Sequence, residues 1–193
     1  GNVSIHRYHL LADEASPQFG TDSALAAPLG PSNMRISVPG ARDLSGPLEY
    51  RLERDGSLVG DWTGSVVLED TGLQPNTSYE YGIRSRDTSP TRRVSAWSGT
   101  VTAITPAAVP TAVVTGEPGE TTLELSGIGA DPNPAGTQYA VLNSTSGLYI
   151  QADGTQGETP VWQEAEQWGG TTVTGLTPDT WYDFAAMARN QEG

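Results

Sequence analysis

Apolar residues recur at every second position over many short runs, the mark of strands with one face buried. Tyr79, Tyr81 and Ile83 form one such run, and Tyr182, Phe184, Ala186 and Ala188 form another. Gly- and Pro-rich stretches punctuate the runs and supply turns. In the first half the pattern predicts strands over 33–38, 48–54, 65–68, 78–86 and 98–104. In the second half it predicts them over 111–115, 121–126, 137–143, 147–152, 171–174 and 181–189. Every run is short, and the chain reads as all-β.

One heptapeptide pattern occurs twice. Leu73-Gln74-Pro75-Asn76-Thr77-Ser78-Tyr79 and Leu176-Thr177-Pro178-Asp179-Thr180-Trp181-Tyr182 share L-x-P-x-T-x-Y. A β-rich run ending in glycine precedes each copy: 66–68 before Gly72, and 171–174 before Gly175. Alternation resumes after each copy, so the local unit is strand, tight corner, strand. In a β-sandwich such a tyrosine packs its ring inward, and its hydroxyl returns to backbone a few residues upstream. With 193 residues, two domains of about 100 residues each fit the duplication.

The corner sequences Leu73, Pro75, Tyr79 and Leu176, Pro178, Tyr182 resemble those of the fibronectin type III family. That resemblance implies two tandem immunoglobulin-like β-sandwiches, over residues 17–105 and 106–193, after an N-terminal extension at 1–16. Residues 131–139 and 188–190 look like the fibronectin-like repeats of bacterial surface and secreted proteins. Both copies depart from the family in lacking a tryptophan on the second strand. The linker 105–110 carries two prolines and is expected to be semi-rigid.

A fibronectin-like sandwich needs a last strand beside 181–189, and only Gln191-Glu192-Gly193 follow Asn190. The second sandwich is therefore expected to lack its final strand within this chain. Val3, Ile5, Tyr8 and Leu10 near the other end read as an extra strand. Two explanations stand side by side. The chain is a segment of a longer array, or the N-terminal strand of one copy fills the vacancy of a neighbour by strand addition. In the second case Val3, Ile5, Tyr8 and Leu10 are the donor, and Tyr182, Phe184, Ala186 and Ala188 line the acceptor edge.

Charge narrows the partners. All ten basic side chains are arginine, 23 carboxylates oppose them, and the formal charge is −13. Nine of the arginines face twelve carboxylates in residues 1–105, whereas Arg189 alone faces eleven from 106 onward. No basic stripe is present to displace phosphate counterions, which excludes nucleic acid as the expected partner. No stretch approaches the roughly 20 apolar residues of a membrane span. Cysteine is absent, so disulfides, thiolate metal sites and cysteine nucleophiles are excluded.

Catalytic signals are sparse. His6 and His9 fall on opposite faces of an extended segment, and no G-x-S-x-G elbow occurs. Asp131, Asn133 and Asp153 are oxygen donors in loops of the kind calcium takes. Their spacing does not match an EF-hand, and turn formation is the better reading. Trp162 and Trp168, with Trp62 in the matching region of the first domain, precede the strands that enter the corners. An exposed aromatic pair there would stack on sugar rings; the competing reading is that they cap a sandwich edge or fill an interface.

These readings predict a non-catalytic extracellular module, structural or adhesive, with neighbouring copies or cell-surface glycan as partners. Its sharper form is a fibre subunit assembled by strand complementation. The alternative is an accessory module, spacer or carbohydrate-binding, of a secreted polysaccharide-degrading enzyme.

Overall fold

A computed structural model of the chain describes residues 15–44, 46–129 and 132–190. By proximity of Cα atoms these form two compact units. One comprises the described residues through Ala26 with Arg35–Leu68 and Tyr79–Thr102; the other comprises Ala27–Met34, Glu69–Ser78 and the described residues from Ala103 onward.

The first sandwich is built from β1 (Gln18–Phe19), β2 (Leu25–Gly30), β3 (Asn33–Ser37), β4 (Ala41–Arg42), β5 (Leu48–Arg54), β6 (Ser57–Thr63), β7 (Val67–Thr71), β8 (Ser78–Asp87) and β9 (Val101–Ile104). One sheet has the order β2-β3-β7 and the other β6-β5-β8-β9, with β1 and β4 paired separately. Period-two alternation turns Met34 and Ile36 of β3, Tyr50 and Leu52 of β5, and Tyr81 and Ile83 of β8 into the core. Asp55 and Gly56, both at positive φ, close the β5–β6 hairpin. This Asp-Gly pair is the residue choice that a two-residue turn of matching twist demands.

The second sandwich comprises β10 (Val113–Pro118), β11 (Leu123–Ile128), β12 (Gln138–Asn143), β13 (Leu148–Ile150), β14 (Gln156–Gly157), β15 (Gln163–Glu164), helix α1 (Ala165–Trp168), β16 (Thr171–Val173) and β17 (Phe184–Arg189). One sheet runs β10-β11-β16; in the other, β12 carries β17 along its length and β13 and β15 on its opposite side. Leu125, Tyr139, Val141, Ile150, Trp168 and Val173 form its buried core. Among the described residues β17 pairs with β12 alone, whereas β8 of the first sandwich lies between β5 and β9.

Several boundaries differ from those the alternation predicts, and three strand starts do so for reasons visible in the local bonding. The strand expected over 65–68 starts at Val67, because Ser65 Oγ closes a local turn, accepting from Val67 N–H at 3.2 Å and donating to Val67 O at 2.6 Å. The strand expected from 98 starts at Val101. Before it, Ser95 and Ser98 hold the chain against β8 through N–H donation to Ser85 O and Ile83 O, both at 2.8 Å. Their hydroxyls also accept the N–H groups of Ser85 and Ile83, at 2.9 and 3.0 Å. The strand expected from 181 starts at Phe184, since the three residues before it complete the corner.

Candidate functional site

The two copies of L-x-P-x-T-x-Y form corners with the same backbone plan. Gly72 and Gly175 have φ of 73° and 75°, and Asn76 and Asp179 have φ of 45° and 53°. Left-handed backbone favours glycine at the first of these positions and tolerates Asn or Asp at the second. In the second corner Thr177 N–H donates to the Tyr182 hydroxyl at 2.8 Å, five residues back along the chain. Hydrogen bonding from the Thr177 side chain, and then from its backbone N–H, favours the phenolate and holds the Tyr182 phenol below its ordinary value of 10.0.

The first corner is tied from the linker side. Thr105 is fully buried; its hydroxyl donates to Gln74 O at 2.7 Å and accepts Thr77 N–H at 3.1 Å. Tyr79 lies beneath Arg54, whose guanidinium carbon is 5.5 Å from the ring centroid, and beside Tyr81.

Fixing Tyr182 has a consequence for its neighbour. Exposure alternates from Trp181 to Ala185, and Trp181 turns outward with 96% of its surface in solvent. Beside it an open groove of about 800 Å³ runs between the β10–β11 turn and the corner. Its walls carry the prolines Pro118 and Pro178, the threonines Thr115, Thr122 and Thr180, and the carboxylates Glu120 and Asp179. No basic residue lines it. Backbone bonds from Gly119 N–H to Thr122 O and from Leu176 N–H to Thr121 O, at 2.8 and 3.1 Å, fix the two walls.

The other four tryptophans are engaged within the fold. Trp168 is fully buried, and its Nε1–H donates to Tyr139 O at 3.0 Å. The sequence reading of Trp168 as a sugar platform is therefore corrected. Helix α1 carries it into the core, where it provides the large aromatic that the second strand lacks. Trp162 is half-buried under Arg189, whose guanidinium carbon is 4.8 Å from the ring centroid. Trp62 and Trp97 are covered in the same way by Arg86 at 4.6 Å and Arg84 at 4.1 Å. Glu49 holds Arg86 in place through a 2.6 Å ion pair across β5 and β8.

Two of the three calcium candidates make hydrogen bonds within the fold. Asn133 Oδ1 accepts Ala108 N–H at 2.7 Å while its Nδ2 donates to Ala108 O at 2.9 Å, so the amide clamps the linker. Asp153 Oδ1 accepts from the hydroxyl and the N–H of Thr155, at 2.6 and 3.0 Å, in a separate turn. These bonds hold its carboxyl below the ordinary value of 3.8. Asp131 lies outside the described residues, as do Val3, Ile5, Tyr8 and Leu10. No group of three or more His, Asp or Glu side chains among the described residues could hold a metal ion. Phe184, Ala186 and Ala188 lie along β17 opposite Asn143, Val141 and Tyr139 of β12.

Comparison with solved structures decides the fold. A two-domain fibronectin type III segment of chicken tenascin matches 91% of this chain over 92% of its own, with a TM-score of 0.54 at 14% identity. The fold is a tandem of fibronectin type III-like sandwiches. Two curated proteins share sequence with parts of it. Gellan lyase from a Bacillus species is 31% identical over 70 residues, covering 31% of this chain and 3% of the lyase. Chitinase 63 from Streptomyces plicatus is 34% identical over 76 residues, covering 39% of this chain and 12% of the chitinase. The chain thus spans a small part of either relative's length. No protein-family model matches it. Among the described residues no helix is long and apolar enough to cross a membrane.

Proposed function

We propose that this fibronectin type III-like tandem is a non-catalytic accessory module of a secreted polysaccharide-degrading enzyme, holding a catalytic domain at its polymer. The observation that carries this reading is the local likeness to two enzymes named for polysaccharide cleavage, confined in each to a short segment. The fold supports it, since sandwiches of this type present loops and edges on a rigid frame and the function resides in those surfaces. An acidic, lysine-free exterior suits a module that resists nonspecific adsorption.

The fibre-subunit reading rests on a donor strand at residues 3–10, outside the described residues, and neither relative supports it. Fusion of the 193-residue chain to a chitinase catalytic domain tests the accessory reading. Product release from insoluble polymer is expected to rise severalfold over the bare catalytic domain, with hydrolysis of a soluble oligosaccharide unchanged. Equal release from insoluble polymer by the fusion and by the bare catalytic domain would refute it.

A further inference from the structure

The accessory reading leaves open what the module touches, and the groove beside Trp181 narrows it. A large aromatic ring in solvent contributes little to folding, and beside a groove its face is free to act as a contact surface. Of the five tryptophans, Trp168 is in the core and Trp62, Trp97 and Trp162 each lie under an arginine. Trp181 is the one described tryptophan whose ring stands almost wholly in solvent, and the adjoining corner is tied by the bond from Thr177 N–H to Tyr182. A platform that is ordered before binding loses less freedom when a ligand settles on it.

The remaining chemistry of the groove selects the ligand. Weakly positive C–H groups on a pyranose face meet the negative face of an indole. Threonine hydroxyls and the two carboxylates accept and exchange hydrogen bonds with sugar hydroxyls. Glu120 and Asp179 are the charged residues of the lining, in the half of the chain where Arg189 faces eleven carboxylates. A uronate or sulfated chain would bring its own negative charge against them.

We infer that the groove beside Trp181 binds a neutral polysaccharide, stacking a sugar ring on Trp181 and excluding acidic glycans through Glu120 and Asp179. This inference rests on the accessory-module reading and gives that module its ligand.

Native affinity electrophoresis of the full chain tests it, with hydroxyethylcellulose and glycol chitin as neutral polymers and gellan and polygalacturonate as acidic ones. The expected result is retardation by at least one neutral polymer and by neither acidic one. Trp181→Ala is expected to weaken that binding at least tenfold with thermal unfolding unchanged, because the ring is in solvent. Glu120→Gln combined with Asp179→Asn is expected to leave neutral binding in place and reduce discrimination against the acidic polymers. Undiminished binding by Trp181→Ala, preference for an acidic polymer, or no retardation by either neutral polymer would overturn the inference. The fusion assay is read separately: a gain on insoluble polymer that survives Trp181→Ala would keep the accessory function and reject this groove as its site.

Discussion

The hydroxyl of Tyr182 accepts the backbone N–H of Thr177 at 2.8 Å, so the corner that leads into β17 closes on itself one residue after an indole that faces solvent. Hydrogen bonding from the Thr177 side chain and then its N–H favours the ionised phenol, which places the folded value below the unfolded value of 10.0. A depressed acid adds stability above its unfolded value and loses that contribution as pH falls through the folded one. The stability of the second sandwich relative to Tyr182→Phe is therefore expected to increase as pH rises from the folded value toward 10 and to level off above it, measured by urea unfolding across that range. Phenolate absorbance should also show one tyrosine titrating early, and Tyr182→Phe should abolish that phase.

Trp168 supplies a contrast with Trp181. It is wholly enclosed and donates to Tyr139 O, so Trp168→Ala should cost about 3–5 kcal/mol, in line with large aromatic truncations in cores. Trp168→Phe keeps most of the ring but leaves the carbonyl without that donor, a loss on the order of 1–3 kcal/mol. Chemical denaturation of both variants checks the order.

Much of this architecture is legible in the sequence because alternation and burial coincide. The strand expected over 48–54 is β5 residue for residue, and β3, β8, β11 and β12 lie within a residue or two of their expected ends. The repeated corner is legible for a stereochemical reason: glycine, then Asn or Asp, mark the two left-handed positions in each copy. Strand β6 is missing from the sequence reading although Asp55-Gly56, the signal for its hairpin, is present. Neither of its faces is consistently apolar, with Ser57, Val59, Asp61 and Thr63 on one and Leu58, Gly60 and Trp62 on the other, so alternation is weak. Helix α1 is a single turn, too short to show a helical period, which is why Trp168 reads as a loop aromatic rather than a core residue. Trp181 is hidden for the opposite reason. It sits inside the repeat, where the corner's own geometry accounts for its neighbours and the period-two pattern assigns it no face of interest.

Two glycines separate conformational from steric cost. Gly154 has φ of 82°, and a Cβ there would stand 1.8 Å from Thr172 O; Gly170 has φ of 84° with nothing within 4 Å. Gly170→Ala should cost about 1–2 kcal/mol for left-handed backbone alone. Gly154→Ala must in addition push β16 away from the turn that contains Gly154, and should be the more damaging of the two. Thermal melts of the pair are sufficient to rank them.

Thr105 joins the linker to the first corner through a hydroxyl that donates to Gln74 O and accepts from Thr77 N–H. Thr105→Val preserves shape and removes both bonds in a buried setting. A loss of about 1–3 kcal/mol is expected, with amide exchange at Thr77 accelerated and exchange in β11 and β12 unaffected. Protection at Thr77 equal to that of the unaltered chain would mean that the corner is held by other contacts.

The five indole N–H groups give five resolvable signals in a nitrogen–proton correlation spectrum of the labelled chain, with Trp181 assigned by its disappearance in Trp181→Ala. Titration with a neutral oligosaccharide, cello- or chito-oligomer, is the most direct measurement of the groove. The Trp181 signal should move with saturation while those of Trp168, Trp62 and Trp97 stay fixed. A stationary Trp181 signal alongside movement at any of the others would contradict it.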